Sequence, residues 1–332
     1  KKVKNNKNEL INNLNNNILK NSKKYNFNLV DVDLYSKQFG LFETQDAVKF
    51  YLGKIPFSQE FAEFFFNVLS NFVLTSFGKI KKVLILDLDG TIWGGILGDD
   101  GYNNIKIDNE TPEGKIFFDF QKTILNLKKR GTLLAISSKN FEKNVKEAFV
   151  KNRNFVLKYK DFVSVKANWD NKAANIKKIS EELNLGLDSF VFFDDNPAER
   201  ELVRSLLPSV TIPELPSEPS YYKNLLLNNF YFDLITLSKE DLSRSKTYLT
   251  NAKRDKLKKK SNDFNEYLKS LNMICEISKF KKEDYGRIVQ LFLRSNQFNM
   301  TTTRYSLNEI ENIRKDKNHI TFQFSFRDKF SN

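Results

Sequence analysis

Residues 81–101 read KKVLILDLDGTIWGGILGDDG. Val83 to Leu86 is a short unbroken apolar run, the pattern of a strand buried on both faces inside a parallel sheet. Asp87 and Asp89 follow, then Gly90 and Thr91. Residues two apart on an extended chain point the same way, so both carboxylates are expected to face one site. Two carboxylates together at a strand end are costly unless a cation or a shared proton neutralises them. The C-terminal edge of such strands is where open α/β sheets place their active sites. These features fit a metal-assisted phosphoryl site, one aspartate serving as nucleophile and the other as acid and base. The same short string also fits an ordinary strand-to-loop turn, because turns favour Asp and Gly. Segments further along the chain decide between the two.

Beyond the aspartates, Trp93 to Gly101 (WGGILGDDG) suggests a tight hairpin or flap over the strand end, with Trp93 as its rigid wall. Thr111-Pro112-Glu113 starts a helix that runs to Arg130, and Gly131 stops it. Leu133 to Ile136 is a second buried strand, ending in Ser137-Ser138-Lys139-Asn140. A hydroxyl and a helix N-terminus just past a parallel strand make a phosphate seat, although simple helix capping explains the same residues. Ser137 and Ser138 point to opposite faces, so one of them should enter the site. Asp161 to Val165 is a short strand, followed by a helix that ends at Leu183 and carries Lys172 in its first turn. The helix dipole disfavours a cation there, which points to a nearby anion, though a solvated lysine is common in a basic chain. Phe190 to Phe193 is a further buried strand, closed by Asp194-Asp195-Asn196-Pro197, and Thr211 to Glu214 reads as an edge strand. Strands alternating with helices define a doubly wound α/β fold with a Rossmann-like parallel sheet. Only parallel strand ends can bring such distant acids together, so Asp87 and Asp89 should meet Asp194 or Asp195 across Mg2+.

Composition bounds the rest. The chain has 332 residues with 40% hydrophobic and 14% aromatic content, enough for about two globular domains. Its single cysteine, Cys275, rules out an internal disulfide and fits a reducing cytoplasm. Its single histidine, His319, rules out a His-rich zinc site. No apolar run is long enough to span a bilayer, and no membrane partner is expected. The net charge of +13 comes from lysines scattered through the chain, without an aromatic-plus-basic module, so no nucleic-acid partner is expected either. The run from Lys253 to Lys260 reads as a solvated helix face.

Upstream, Leu10, Ile11, Leu14 and Ile18 lie at helical spacing, Phe27 to Leu34 alternates like a strand, and Ser58 caps a Phe-rich helix stopped by Gly78. The chain does not begin with Met, and this part reads as the tail of a preceding α/β unit. Near the C-terminus, Met273 to Ser278 and Ile320 to Phe326 read as strands around two helices, Glu283 to Arg294 and Leu307 to Ile313.

DLDGT at 87–91, Ser138, Lys172 and Asp194-Asp195 resemble, in order, the motifs of the haloacid-dehalogenase (HAD) superfamily. The longer strings LDLDGTIWGGILGDDG, ISSKN, ANWDNKAANI and FVFFDDNPAERELV resemble the FkbH-like branch, the subfamily IIIC phosphatases. NQFNMTTTRY at 296–305 is similar to that family's C-terminal region, and the likeness extends from about Tyr51 onward. The resemblance implies that Asp87 attacks the phosphoryl group and that Asp89 protonates the leaving oxygen and then activates water. It implies that Thr91, Ser138 and Lys172 bind phosphate, with backbone N–H groups at Leu88 to Gly90 around it. It places Mg2+ among Asp87, Asp89, Asp194 and Asp195, leaving open which of the last two is the direct ligand.

The expected organisation is a partial N-terminal α/β segment over 1–79, a HAD-like domain without a large cap over 80–235, a helical linker over 236–271, and a partial α+β GNAT-like acyltransferase region over 272–332. The expected substrate is a small phosphorylated metabolite, which an uncapped site could also accept on an acyl carrier protein. An alternative, implied by the same family, is transfer of a dephosphorylated three-carbon glyceryl or acyl unit onto such a carrier. That route is expected to pass through a cysteine thioester, and here the core domain has no cysteine.

Overall fold

The computed structural model describes residues 6–25, 27–76, 79–233, 247–248, 250–251, 254, 257, 263–294 and 299–330. The chain divides into two compact units, the boundary falling between Val73 and Leu74. The first unit contains α1 (Lys7–Tyr25), α2 (Val32–Phe39), α3 (Ala47–Gly53) and most of α4 (Gln59–Ser76). Phe61 is its buried centre, with the rings of Phe57, Phe39 and Phe65 at 5.1, 5.4 and 5.8 Å. Ser58 caps α4 by accepting from the Phe61 N–H at 3.2 Å, as its sequence position predicts. The expected strand over 27–34 is not formed. Asp31 instead accepts from the Leu34 N–H at 3.1 Å and starts α2, so a capping aspartate overrides the alternating pattern. The expected stop at Gly78 lies outside the described residues.

The second unit is built on a parallel sheet of β1 (Val83–Leu86), β2 (Leu133–Ser138), β3 (Phe162–Ala167) and β4 (Phe190–Phe193), in the order β3-β2-β1-β4. A single parallel bridge from Val191 to Thr211 stands where an edge strand was expected. Between the strands run α5 (Leu97–Asn104), α6 (Pro112–Lys129), α7 (Glu142–Lys151) and α8 (Lys172–Leu183); α9 (Pro197–Leu206) and α10 (Tyr222–Asn228) follow β4. Side chains alternate across each strand, and that alternation builds two cores. Leu84, Leu86, Leu134, Ile136 and Phe193 face α6, α7 and α10; Val83, Ile85, Ala135, Phe190 and Phe192 face α8 and α9. Burying each of these Val, Leu, Ile and Phe side chains contributes about 1.5–3 kcal/mol.

Of the hairpin or flap expected after β1, the connection forms a flap that contains a helix. Gly94 exchanges backbone hydrogen bonds with Lys106, while the Gly-Asp-Asp-Gly stretch lies within α5, kinked at Gly101. Ile96 N–H donates to Asp100 at 2.8 Å, so an aspartate in the first turn starts a helix where a turn was expected. Buried Gln121 of α6 fixes this flap: it donates to the Ile92 carbonyl at 2.9 Å and accepts from the Val156 and Leu157 N–H groups at 3.1 Å.

Towards the C-terminus come α11 (Phe264–Ser270), β5 (Ile274–Ser278), α12 (Tyr285–Arg294), α13 (Leu307–Lys315) and β6 (Gln323–Arg327), with β5 and β6 antiparallel. Both expected strands and both expected helices form here. Most of the Lys253–Lys260 run and Asn296 lie outside the described residues. Among the described residues, no helix is long and apolar enough to cross a membrane.

Candidate metal centre

The β1–β4 register decides the site. Leu86 pairs with Phe193, and the Asp87 N–H donates to the Phe193 carbonyl at 3.0 Å, so Asp87 and Asp194 are lateral neighbours just past paired strand ends. Laterally paired residues of adjacent strands lie on the same face of the sheet, here the face covered by α8. Asn171 caps α8 by accepting from the Ala173 N–H at 2.8 Å, and Ala173, Ile176 and Ile179 seat the helix on the sheet. Lys172, its first residue, is thereby held over the two acids. Its Nζ lies 2.5 Å from Asp194 Oδ2 and 3.1 Å from Asp87 Oδ2. Lys172 is 3% exposed and Asp194 is fully buried.

Asp195 completes the cluster. Each of Asp87, Asp194 and Asp195 offers a carboxylate oxygen within 4.8 Å of the others. Its backbone N–H donates to Thr91 Oγ1 at 3.1 Å, and the Thr91 hydroxyl donates back to Asp195 Oδ1 at 3.4 Å. The fully buried Thr91 hydroxyl thus positions an acid. Gly90 lies against the same carboxylate. Its φ is +66°, and a Cβ there would stand 2.3 Å from Asp195 Oδ2, so both backbone conformation and space require glycine.

Three acids around one lysine leave an excess of negative charge in a largely buried site. Burial pushes the Asp87 carboxyl up, against the lowering effect of Lys172 and the Ser138 hydroxyl. Burial and the neighbouring Asp87 charge push Asp194 up to about 7, and the same causes raise Asp195. Burial alone would lower Lys172, but the charges of Asp87 and Asp194 outweigh it and hold the ammonium above its ordinary value. Asp87 Oδ1 is buried and has no hydrogen-bond partner. An all-oxygen donor set with surplus negative charge and an unused buried carboxylate oxygen fits a hard divalent cation.

Asp89 is held differently from the expectation. Its carboxylate is not in the three-acid group. Oδ1 accepts from the Trp93 indole N–H at 2.8 Å and the Leu97 N–H at 2.9 Å, and Oδ2 accepts from Asn140 Nδ2 at 2.8 Å. β1 ends at Leu86, three residues before Asp89, so strand alternation does not fix where the Asp89 side chain lies. Trp93 is fully buried and stacks on Phe155 at 5.3 Å, which makes it a wall of the flap as expected. Of the two serines, Ser138 lies beside Asp87 and accepts from Asn140 Nδ2 at 3.2 Å. The Ser137 hydroxyl is buried without a partner.

Two residues that shape the site carried no separate signal in the sequence. Asn140 orients Asp89. Arg200 of α9, itself buried, donates from its Nη1 to the carbonyls of Asp194 and Asp195 at 2.9 and 2.8 Å. The signal that could have found Arg200 is its place one helical turn past Asn196-Pro197, a capping pair that fixes where α9 begins.

No family model matches the chain, and no curated protein does. A solved structure does: the N-terminal part of the protein BF1531 from Bacteroides fragilis, containing a phosphatase domain complexed with Mg. The two are 39% identical with a TM-score of 0.64, over 68% of this chain and 60% of the solved one. The likeness establishes the α/β fold of a phosphatase domain; the match spans less than two thirds of that solved chain.

Proposed function

We propose that this chain is a Mg2+-dependent phosphatase of the HAD type, in the FkbH-like branch, acting on phosphate monoesters through an aspartyl phosphate. The observation that carries the reading is the convergence of Asp87, Asp194 and Asp195 within 4.8 Å beneath buried Lys172. The likeness to a phosphatase domain complexed with Mg supports it.

In this reading Asp87 and one or both of Asp194 and Asp195 hold Mg2+, which supplies charge neutralisation that lets anionic phosphate approach an anionic nucleophile. A carboxylate oxygen of Asp87 attacks phosphorus, the bond to the ester oxygen breaks, and Asp89 gives that oxygen its proton. Asp89 then takes a proton from water as the water oxygen attacks phosphorus, and the Asp87–phosphorus bond breaks to release phosphate. The Trp93, Leu97 and Asn140 donors hold Asp89 in place for both transfers. Lys172 and Ser138 bind the phosphoryl oxygens. Among the described residues, the connections between β1 and β4 hold helices and short 3-10 turns but no folded insert, which suits a substrate of some bulk. The β5-α12-α13-β6 region is read as the opening of a GNAT-like fold.

Phosphate release from a panel of phosphate esters with Mg2+ tests the proposal. Asp87→Asn should lower the rate at least about a thousandfold, since it removes the nucleophile. An unchanged rate in that variant would sink the assignment.

A further inference from the structure

The rim of the site carries an exposed aromatic pair that no hydrolytic step uses. Phe141 is 62% exposed and Trp169 is 64% exposed, and their rings meet at 5.9 Å and 67°. Both positions are tied to the reacting groups. Phe141 directly follows Asn140, which donates to Asp89. Trp169 lies three residues before Lys172, and the Asn168 N–H donates to the Ser138 carbonyl at 3.1 Å, joining the two loops. Phe141 also stands where a capping residue would serve the fold. Thr111, Asn171 and Asn196 cap α6, α8 and α9 through their side chains, whereas Phe141, at the N-cap of α7, makes no such bond, as Ile96 of α5 and Tyr221 of α10 make none. The position forgoes a stabilising cap and presents a ring to solvent. The other tryptophan, Trp93, is fully buried, so exposure at Trp169 is a property of that position.

We propose that Phe141 and Trp169 form the leaving-group subsite, and that the preferred substrates are phosphate monoesters whose leaving group carries a planar, uncharged ring. This deepens the phosphatase reading and rests on it. Two rings held nearly edge to face make a corner: a planar group stacks on one face while its own edge or face meets the other ring. A small polar three-carbon leaving group would cover neither ring.

Two measurements test it. First, the ratio of kcat/KM for naphthyl phosphate to that for glycerol phosphate should fall about tenfold in Trp169→Ala and stay near wild type in Trp169→Phe. Second, with Mg2+ present, non-hydrolysable benzylphosphonate should shield Trp169 from acrylamide quenching, and methylphosphonate should not. An unchanged ratio in an active enzyme, or no selective shielding, overturns the subsite and leaves the phosphatase reading standing. Shielding without phosphate release from any ester keeps the subsite and removes the phosphatase reading.

Discussion

Lys172 balances part of the charge that Asp87 and Asp194 bring into a buried space, and the imbalance that remains is measurable. An unfolded aspartate has a pKa near the ordinary 3.8, while Asp194 in the folded, metal-free protein is raised to about 7. Between those values the folded form holds the extra proton, so metal-free stability should fall as pH rises through that window. Thermal unfolding in chelator at about pH 5 and about pH 8 should show the fall, and Asp194→Asn should flatten it. Arg200 acts on Asp194 and its neighbour Asp195 from behind, through their backbone carbonyls. Arg200→Gln should weaken Mg2+ binding by about 10–100-fold in calorimetric titration, the usual effect of losing a group that orients a ligand. At this scale the sequence revealed the residues whose side chains end strands or begin helices: Asp87, Ser138, Lys172, Asp194 and Asp195. It concealed Arg200 and Asn140, because a bond to a backbone carbonyl or to another side chain leaves no periodic trace. The Thr91 hydroxyl also pairs with Asp195, a bond the sequence pattern does not display.

Among the elements, α6 carries the polar joint that locks the flap. Gln121→Leu would leave the Ile92 carbonyl and the Val156 and Leu157 N–H groups without their partner. The expected cost is about 1–3 kcal/mol for each group left unpaired, read as a lowered denaturation midpoint. Because Trp93 follows Ile92 directly and bonds Asp89, the variant should also lose turnover. Strands β1, β2 and β4 were legible because each is a short apolar run followed by a polar strand end, whereas β3 reads FVSVKA and alternates. Phe190–Phe193 was read to the residue. Two stretches were misread, 27–34 as a strand and 98–101 as a turn; in each an aspartate caps or opens a helix and overrides the local pattern.

For the molecule as a whole, the surplus acid should couple ion binding to stability. Mg2+ at about a hundred times its dissociation constant should add about 2.7 kcal/mol, seen as a rise in Tm that chelator reverses and Asp194→Asn abolishes. Much of the α/β architecture was legible because hydrophobic period and strand-end chemistry agree along residues 80–233. The C-terminal region was legible as elements but not as a packed whole. Ile274, Ile277, Phe324 and Phe326 of its two strands remain exposed, so no burial pattern fixed their faces.

The alignment of Leu86 with Phe193 also limits how this gene can drift. Deleting one residue within β4 would turn the aspartate that follows it towards Phe120 and away from α8. Length polymorphism should therefore be absent from both strands.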